Sequence, residues 1–168
     1  MFSLAILTIS DKASRGERPD RSGPLIRESF AGLDCKVVGY EVIPDEAALI
    51  AKKLSQWADR GNMDIILTTG GTGLALRDVT PEATLSVIDK EVPGLAEMMR
   101  TRSFAITPNA MLSRAVAGMR KGCLIINLPG SPKAVAECLE VIMPVLPHAV
   151  DVIKGRITEH PAPETGKD

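Results

Sequence analysis

Three groups of residues in this chain have the type and spacing for chemistry on a charged ligand. The first is Thr69-Gly70-Gly71-Thr72-Gly73, with three glycines in four positions. Glycine takes positive φ readily and leaves its N–H open to an anion, with no Cβ in the way. The second is a pair of aspartates, Asp45 in Ile43-Pro44-Asp45-Glu46 and Asp78 in Arg77-Asp78-Val79-Thr80-Pro81. Carboxylates suit hard cations, and Mg²⁺ is commonly held by one or two of them together with phosphate oxygens. The third is a set of cations that could balance phosphate charge: Arg100, Arg114 after Ser113, and Lys133.

Each has a plainer reading. Asp45 also suits a helix N-cap, a role compatible with metal binding. Asp78 also reads as a solvated turn residue paired with Arg77. Arg100 could pair with Glu97 three residues earlier, and Lys133 could be a surface cation. Glycine turns after strands are common as well. This one fails two nucleotide-loop patterns: Leu76 stands where a dinucleotide-binding turn needs glycine, and no Gly-Lys-Ser/Thr follows. His148 lies among apolar neighbours, His160 lies near the end, and no serine or cysteine elbow occurs, which disfavours nucleophilic hydrolysis. Transfer at phosphorus needs mainly positioning and charge stabilisation, and fits these residues better.

The elements that must position them form an α/β pattern. Leu4 to Ile9 and Ile65 to Thr69 are short apolar runs bounded by turn signals, the mark of strands buried on both faces of a parallel sheet. Cys35 to Ile43 is a further strand, and a helix follows from Asp45 with Leu49, Ile50, Leu54 and Trp57 on one face and Gly61 closing it. Helical spacing recurs from Pro24 to Leu33 and from Leu95 to Arg102. Thr80-Pro81 reads as an N-cap and first helical residue, opening a helix to about Asp89. Ala115 to Met119 and Cys123 to Leu128 are joined by Arg120-Lys121-Gly122, too short a link for a parallel pair. A long helix from Pro132 to about Lys154 should bend at Pro144 and Pro147. The polar stretch Lys12 to Gly23 reads as a mobile surface loop.

The fold expected is therefore a three-layer open sheet, mostly parallel with one antiparallel edge pair and helices on both faces. Such sheets bind ligands beyond the carboxyl ends of their strands. Those ends carry Ser10-Asp11, Pro44-Asp45, Thr69 to Gly73, and Pro129-Gly130-Ser131, which together outline one pocket floor.

The whole chain sets outer limits. At 168 residues it reads as a single domain over 1–157 and a flexible tail over 158–168. A net charge of −1 and five aromatic residues (three Phe, one Tyr, one Trp) supply neither the basic field nor the stacking platform of a nucleic-acid binder. No apolar run reaches membrane-span length, and Met1 to Ser10 lacks the basic start of a signal peptide. Cys35, Cys123 and Cys138 are odd in number and widely spaced, so free thiols and a cytoplasmic setting are expected. Met98, Met99, Phe104, Met111 and Met119 are core residues or an apolar subunit contact, with core the safer reading.

Taken in order, I-P-D-E, T-T-G-G-T-G-L-A-L-R-D-V-T-P-E-A-T, P-G-L-A-E-M-M-R and L-P-G-S-P-K-A-V-A-E-C-L resemble the molybdopterin-binding MogA/MoaB family, whose relatives include the gephyrin G domain. The similarity covers about residues 4 to 155. It implies a three-layer α/β fold, a homotrimer, and Mg²⁺-dependent transfer of AMP from ATP to the terminal phosphate of molybdopterin, before a separate insertion protein adds metal. The family's two functional aspartates fall on Asp45 and Asp78. Its pterin phosphate site falls on Gly70, Gly71, Thr72 and Gly73, with Ser10, Asp11, Ser113, Pro129, Gly130 and Ser131 nearby. The chain departs from many members at Leu74, where proline is usual, and at Glu82, where aspartate is usual. A non-catalytic pterin-binding or scaffold member would share the glycine loop, and an unrelated nucleotide-binding regulator would take ATP without pterin.

Overall fold

In the computed structural model, which describes residues 1–157, the apolar runs become strands of one six-stranded sheet. The strands are β1 (Phe2–Ile9), β2 (Cys35–Ile43), β3 (Ile65–Thr69), β4 (Lys90–Glu91), β5 (Ala117–Arg120) and β6 (Cys123–Leu128). Their order across the sheet is β2-β1-β3-β6-β5-β4. The first four in that order are mutually parallel, while β5 runs antiparallel to both β6 and β4. Central β3 and β6 are buried at every residue, whereas edge strand β2 alternates half-buried and exposed positions. That contrast is what two covered faces at the centre and one open edge dictate.

Strand alternation divides the core into two layers. Leu4, Ile6, Ile65, Leu67, Leu124 and Ile126 face helices α2 (Ser22–Ser29), α5 (Pro93–Phe104), α6 (Pro132–Ile142) and α7 (Leu146–Ile153). Ala5, Leu7, Ile66 and Ile125 face α3 (Ala47–Asp59) and α4 (Thr80–Leu85). In α3 Ile50, Leu54 and Trp57 of the expected stripe are buried, Leu49 is instead exposed, and Gly61 ends the helix at φ +70°. The three-layer expectation holds.

Several local expectations change. The segment expected to be a mobile loop contains helix α1 (Asp11–Ser14) and the start of α2, and Asp20 is tied down by four hydrogen bonds. The helix expected to reach Asp89 stops at Leu85, because Lys90–Glu91 pair with Met119 and Gly118 as an edge strand. The long C-terminal helix is two helices separated by a 3₁₀ turn at Met143–Val145, where Pro144 cannot donate to the helical ladder. Met99 is core at 3% exposure, but Met98, Phe104 and Met111 are 50%, 49% and 65% exposed and form no part of it. The cysteines are free, as expected, and burial pushes the Cys35 and Cys123 thiols up to about 11 and about 12. The expected tail lies outside the described residues.

Candidate active site

The strand order reverses at β1: the chain steps outward to β2, then crosses back to β3 on the other side. Loops leaving β1 and β3 therefore diverge and open a crevice at their carboxyl ends. A cleft of about 690 Å³ lies there, lined by Ser10, Asp45, Gly70, Gly71, Asp78, Gly130 and Ser131 among others. All four expected strand ends contribute to it.

Asp45 does not cap α3, which begins at Ala47 after Glu46. Its Oδ2 instead accepts the Asp11 N–H at 2.7 Å, and Asp11 Oδ1 accepts the Asp45 N–H at 3.1 Å. This reciprocal clasp fixes the Asp45 carboxylate at the end of β2. Arg77 does not pair with Asp78. Its guanidinium reaches Asp11, donating from Nε at 2.9 Å and Nη2 at 2.7 Å. Asp11 lies outside the cleft lining, and its carboxyl is held below the ordinary range by the Arg77 hydrogen bonds. Asp78 is a turn residue, as its plainer reading had it: its Oδ2 accepts the Ala75 N–H at 2.9 Å.

The glycine loop brings its backbone against both acids. A Cβ on Gly71 (φ +66°) would sit 3.1 Å from Asp45 Oδ1, and one on Gly73 would sit 2.8 Å from Asp78 Oδ2. At Gly71 such a Cβ would also lie 2.4 Å from Thr80 Oγ1, so the absent side chain and positive φ let the loop pack between α4 and Asp45. Gly70 donates its N–H to Leu128 O at 3.2 Å, while those of Gly71, Thr72 and Gly73 have no acceptor among the described residues. Amides without protein partners are what an anion site requires.

A buried polar chain props the loop from below. Asn127 Nδ2 donates to Thr68 Oγ1 and Thr84 Oγ1, Thr84 Oγ1 donates to Thr80 O, and Thr80 Oγ1 donates to Gly70 O at 2.9 Å. Thr80 is thus the first residue of α4 rather than its N-cap, and its hydroxyl serves the loop. Thr80→Val keeps the shape and strands a buried carbonyl, so it should cost about 1–3 kcal/mol in urea unfolding.

The remaining expected residues fall beyond this cleft. Thr72, Gly73, Ser113 and Pro129 line a smaller apolar cavity of about 290 Å³, with Met99, Leu112 and Cys138. The glycine loop is the wall between the two cavities, with Gly70 and Gly71 on one side and Thr72 and Gly73 on the other. The three expected phosphate cations are absent from the large cleft. Arg114 is engaged with Gly73 O, Asp78 O and Glu82, Arg100 with Ala115 O at 2.8 Å, and Lys133 with Glu137 at 3.9 Å. Arg18 and Arg21 line it instead, and the sequence reading had not singled them out.

The family model described as "Probable molybdopterin binding domain" matches residues 5–148. The chain belongs to this family. It is 47% identical over 154 residues to a molybdopterin adenylyltransferase of Helicobacter pylori (strain J99), covering 90% of this chain and 88% of that protein. It is 41% identical over 163 residues to gephyrin of Dictyostelium discoideum, covering 91% of this chain and 23% of gephyrin. The crystal structure of the molybdopterin biosynthesis enzyme MoaB from Thermus thermophilus superposes with a TM-score of 0.87 at 56% identity, covering 92% of this chain and 98% of that one. The resemblance to the molybdopterin-binding family read from the motifs is therefore correct. As in that family, the protein's role is in molybdenum cofactor biosynthesis.

For a member of the molybdopterin-binding family the donor set is sparse but coherent. No group of three or more His, Cys, Asp or Glu able to hold a metal occurs among the described residues. Two carboxylates lining one cleft fit Mg²⁺, which takes few protein ligands and completes its shell with water and phosphate oxygens. Burial pushes the Asp45 carboxyl above its ordinary range; the Asp11 N–H opposes this, and the Asp11 and Asp78 charges add to it. A protonated Asp45 is a poor cation ligand. Activity should therefore fall as pH drops through this raised pKa, on a limb lying above that of an ordinary aspartate. Higher Mg²⁺ should move the limb to lower pH, and a limb indifferent to Mg²⁺ would rule out Asp45 as the ligand.

Proposed function

We propose that this protein is a molybdopterin adenylyltransferase, transferring AMP from ATP to the terminal phosphate of molybdopterin. The observation that carries this reading is the packing of Gly71 against Asp45 and of Gly73 against Asp78, in a loop whose Gly71, Thr72 and Gly73 N–H groups have no acceptor among the described residues. The named activity of the Helicobacter relative supports it.

In this reading the loop amides hold the pterin phosphate, while Asp45 and Asp78 would hold Mg²⁺. When bound, the cation supplies charge stabilisation at the α-phosphate and the leaving pyrophosphate. An oxygen of the pterin phosphate forms a bond to the α-phosphorus as the bond to pyrophosphate breaks, so AMP is transferred and pyrophosphate departs. The attacking oxygen belongs to an ionised phosphate and the bridging oxygen departs with its electron pair as pyrophosphate anion, so neither needs a proton and the carboxylates act as anchors. Ser10, Gly130 and Ser131 complete the cleft beside the loop. Thr72, Gly73, Ser113 and Pro129, on the apolar side, offer the substrate a second surface. Asp11 acts through Asp45 as a positioning residue. The loop's placement by α4 and the Asn127 chain preorganises it, which lowers the cost of aligning two polyanions.

The same reading assigns residues 1–157 to one domain, a homotrimer as the working form, the cytoplasm as its place, and a separate molybdenum-insertion protein as consumer of the product. Exposed Met98, Phe104 and Met111 are apolar surface suited to a subunit contact. Incubation with ATP, Mg²⁺ and molybdopterin, followed by mass analysis, should yield AMP-linked pterin and pyrophosphate. Pterin binding without product would identify a non-catalytic member instead, and ATP binding without pterin binding a nucleotide-binding regulator.

A further inference from the structure

The large cleft holds three carboxylates, from Asp20, Asp45 and Asp78, and its only lining cations among the described residues are Arg18 and Arg21. A nucleotide triphosphate cannot settle beside three acids without positive charge to offset its own. Asp20 is not available as a ligand, because both its oxygens are taken. Oδ1 accepts the Ser22 and Gly23 N–H groups at 3.0 and 3.1 Å, and Oδ2 accepts the Thr8 and Tyr40 hydroxyls, each at 2.6 Å. Burial alone would raise its pKa, and these hydrogen bonds outweigh that to hold the carboxyl below the ordinary range.

The carboxylate is the anchor of the segment between β1 and α2. The fit is tight: a Cβ on Gly23 would lie 2.4 Å from the Tyr40 ring and 2.5 Å from Asp20 Oδ2. Ser22 Oγ extends the anchoring by donating to Gly130 O at 2.8 Å, which ties the segment to the opposite loop of the cleft. Arg18-Pro19-Asp20-Arg21 is thereby a backbone fixed at Asp20 that carries a guanidinium on either side. Arg18 Nη2 donates to Ser10 Oγ at 3.2 Å, and the Arg21 guanidinium makes no hydrogen bond or ion pair among the described residues, its backbone carbonyl alone accepting the Leu25 N–H. Arg15, Arg77, Arg120 and Arg156 are committed to carboxylates, and the other arginines without one, Arg27, Arg60, Arg100 and Arg102, do not line the cleft. Two cations free of carboxylates, on a wall preorganised by a saturated aspartate, have the form of a phosphate clamp.

We propose that Arg18 and Arg21 bind the triphosphate of the nucleotide, and that Asp20 positions them by fixing their backbone. This rests on the adenylyltransferase reading for the identity of the nucleotide, but the clamp itself is a matter of charge and can be tested apart from it. Arg18→Ala and Arg21→Ala should each weaken calorimetric binding of a non-hydrolysable ATP analogue by about tenfold, and the pair by about 100-fold. Inorganic tripolyphosphate should behave in parallel. Affinity for AMP and for molybdopterin should stay within about twofold of wild type, because neither presents a polyphosphate. Arg21→Lys should recover part of the loss, since charge returns without the planar fork. Lys52→Ala, which removes an exposed cation outside the cleft, should change nothing.

The clamp is refuted if the double variant binds the analogue and tripolyphosphate as wild type does. It is equally refuted if molybdopterin affinity falls while analogue affinity does not, which would assign the arginines to the pterin phosphate. If wild type binds tripolyphosphate through these residues yet forms no AMP-linked pterin, the clamp stands and the transferase reading falls.

Discussion

Asp78→Asn should leave the protein folded and reduce AMP transfer by about 10³-fold, a loss of roughly 4 kcal/mol of transition-state stabilisation. The substitution is close to isosteric, and the amide oxygen can still accept the Ala75 N–H that Asp78 Oδ2 accepts now. What disappears is the negative charge on the cleft wall. Asp45→Asn should behave alike, because its oxygen can keep the Asp11 N–H contact while losing charge. If the two acids hold one cation, the double variant should be little worse than either single one, since both remove the same interaction. Molybdopterin affinity should persist in all three. Intact transfer with abolished pterin binding in Asp78→Asn would reverse the assignment of roles.

Gly70→Ala should be the most damaging single change to the loop. Gly70 has φ +101°, and a Cβ there would lie 2.2 Å from the Ile9 carbonyl oxygen, a backbone atom of central strand β1. Neither partner can swing aside as a flexible side chain would. Strain and overpacking together should cost about 2–5 kcal/mol in urea unfolding. Surviving folded protein should bind phosphate-bearing ligands poorly, because the adjacent amides would no longer be held in place. Gly32→Ala is the control: no atom lies within 4 Å of its Cβ position and its φ is not positive, so its midpoint should move little. A Gly70→Ala protein as stable as wild type would show that the loop is not packed against β1 in solution.

The sheet was legible because strands buried on both faces leave continuous apolar runs, as in Ile65–Thr69 and Cys123–Leu128. Strand β4 was not, since Lys90–Glu91 is two charged, exposed residues that only the pairing with β5 makes a strand. That Asp45 and Asp78 share one cleft was legible because both lie in loops after strand ends, and parallel topology brings such ends together. Their partners were not. Arg77 finds Asp11 across 66 positions and Arg114 finds Gly73 across 41, whereas sequence proximity favoured Asp78 for Arg77. Nor could adjacency reveal that Gly71 and Thr72 line different cavities, because the turn between them sends neighbours to opposite sides of one wall. Arg18 and Arg21 were hidden for another reason. Their stretch is polar and glycine-bearing, and its order comes from Thr8 and Tyr40 on other strands.

The central claim is that the open amides and the two acids join an AMP group to a pterin phosphate, and label partition tests it most directly. Wild-type protein is incubated with Mg²⁺ and molybdopterin, once with ATP labelled at the α-phosphate and once with ATP labelled at the γ-phosphate. The account predicts that α-label appears in the pterin product, that γ-label appears only in pyrophosphate, and that Asp78→Asn produces neither. Label transferred from the γ-position, or no labelled pterin from wild type under conditions where it binds both substrates, would contradict it.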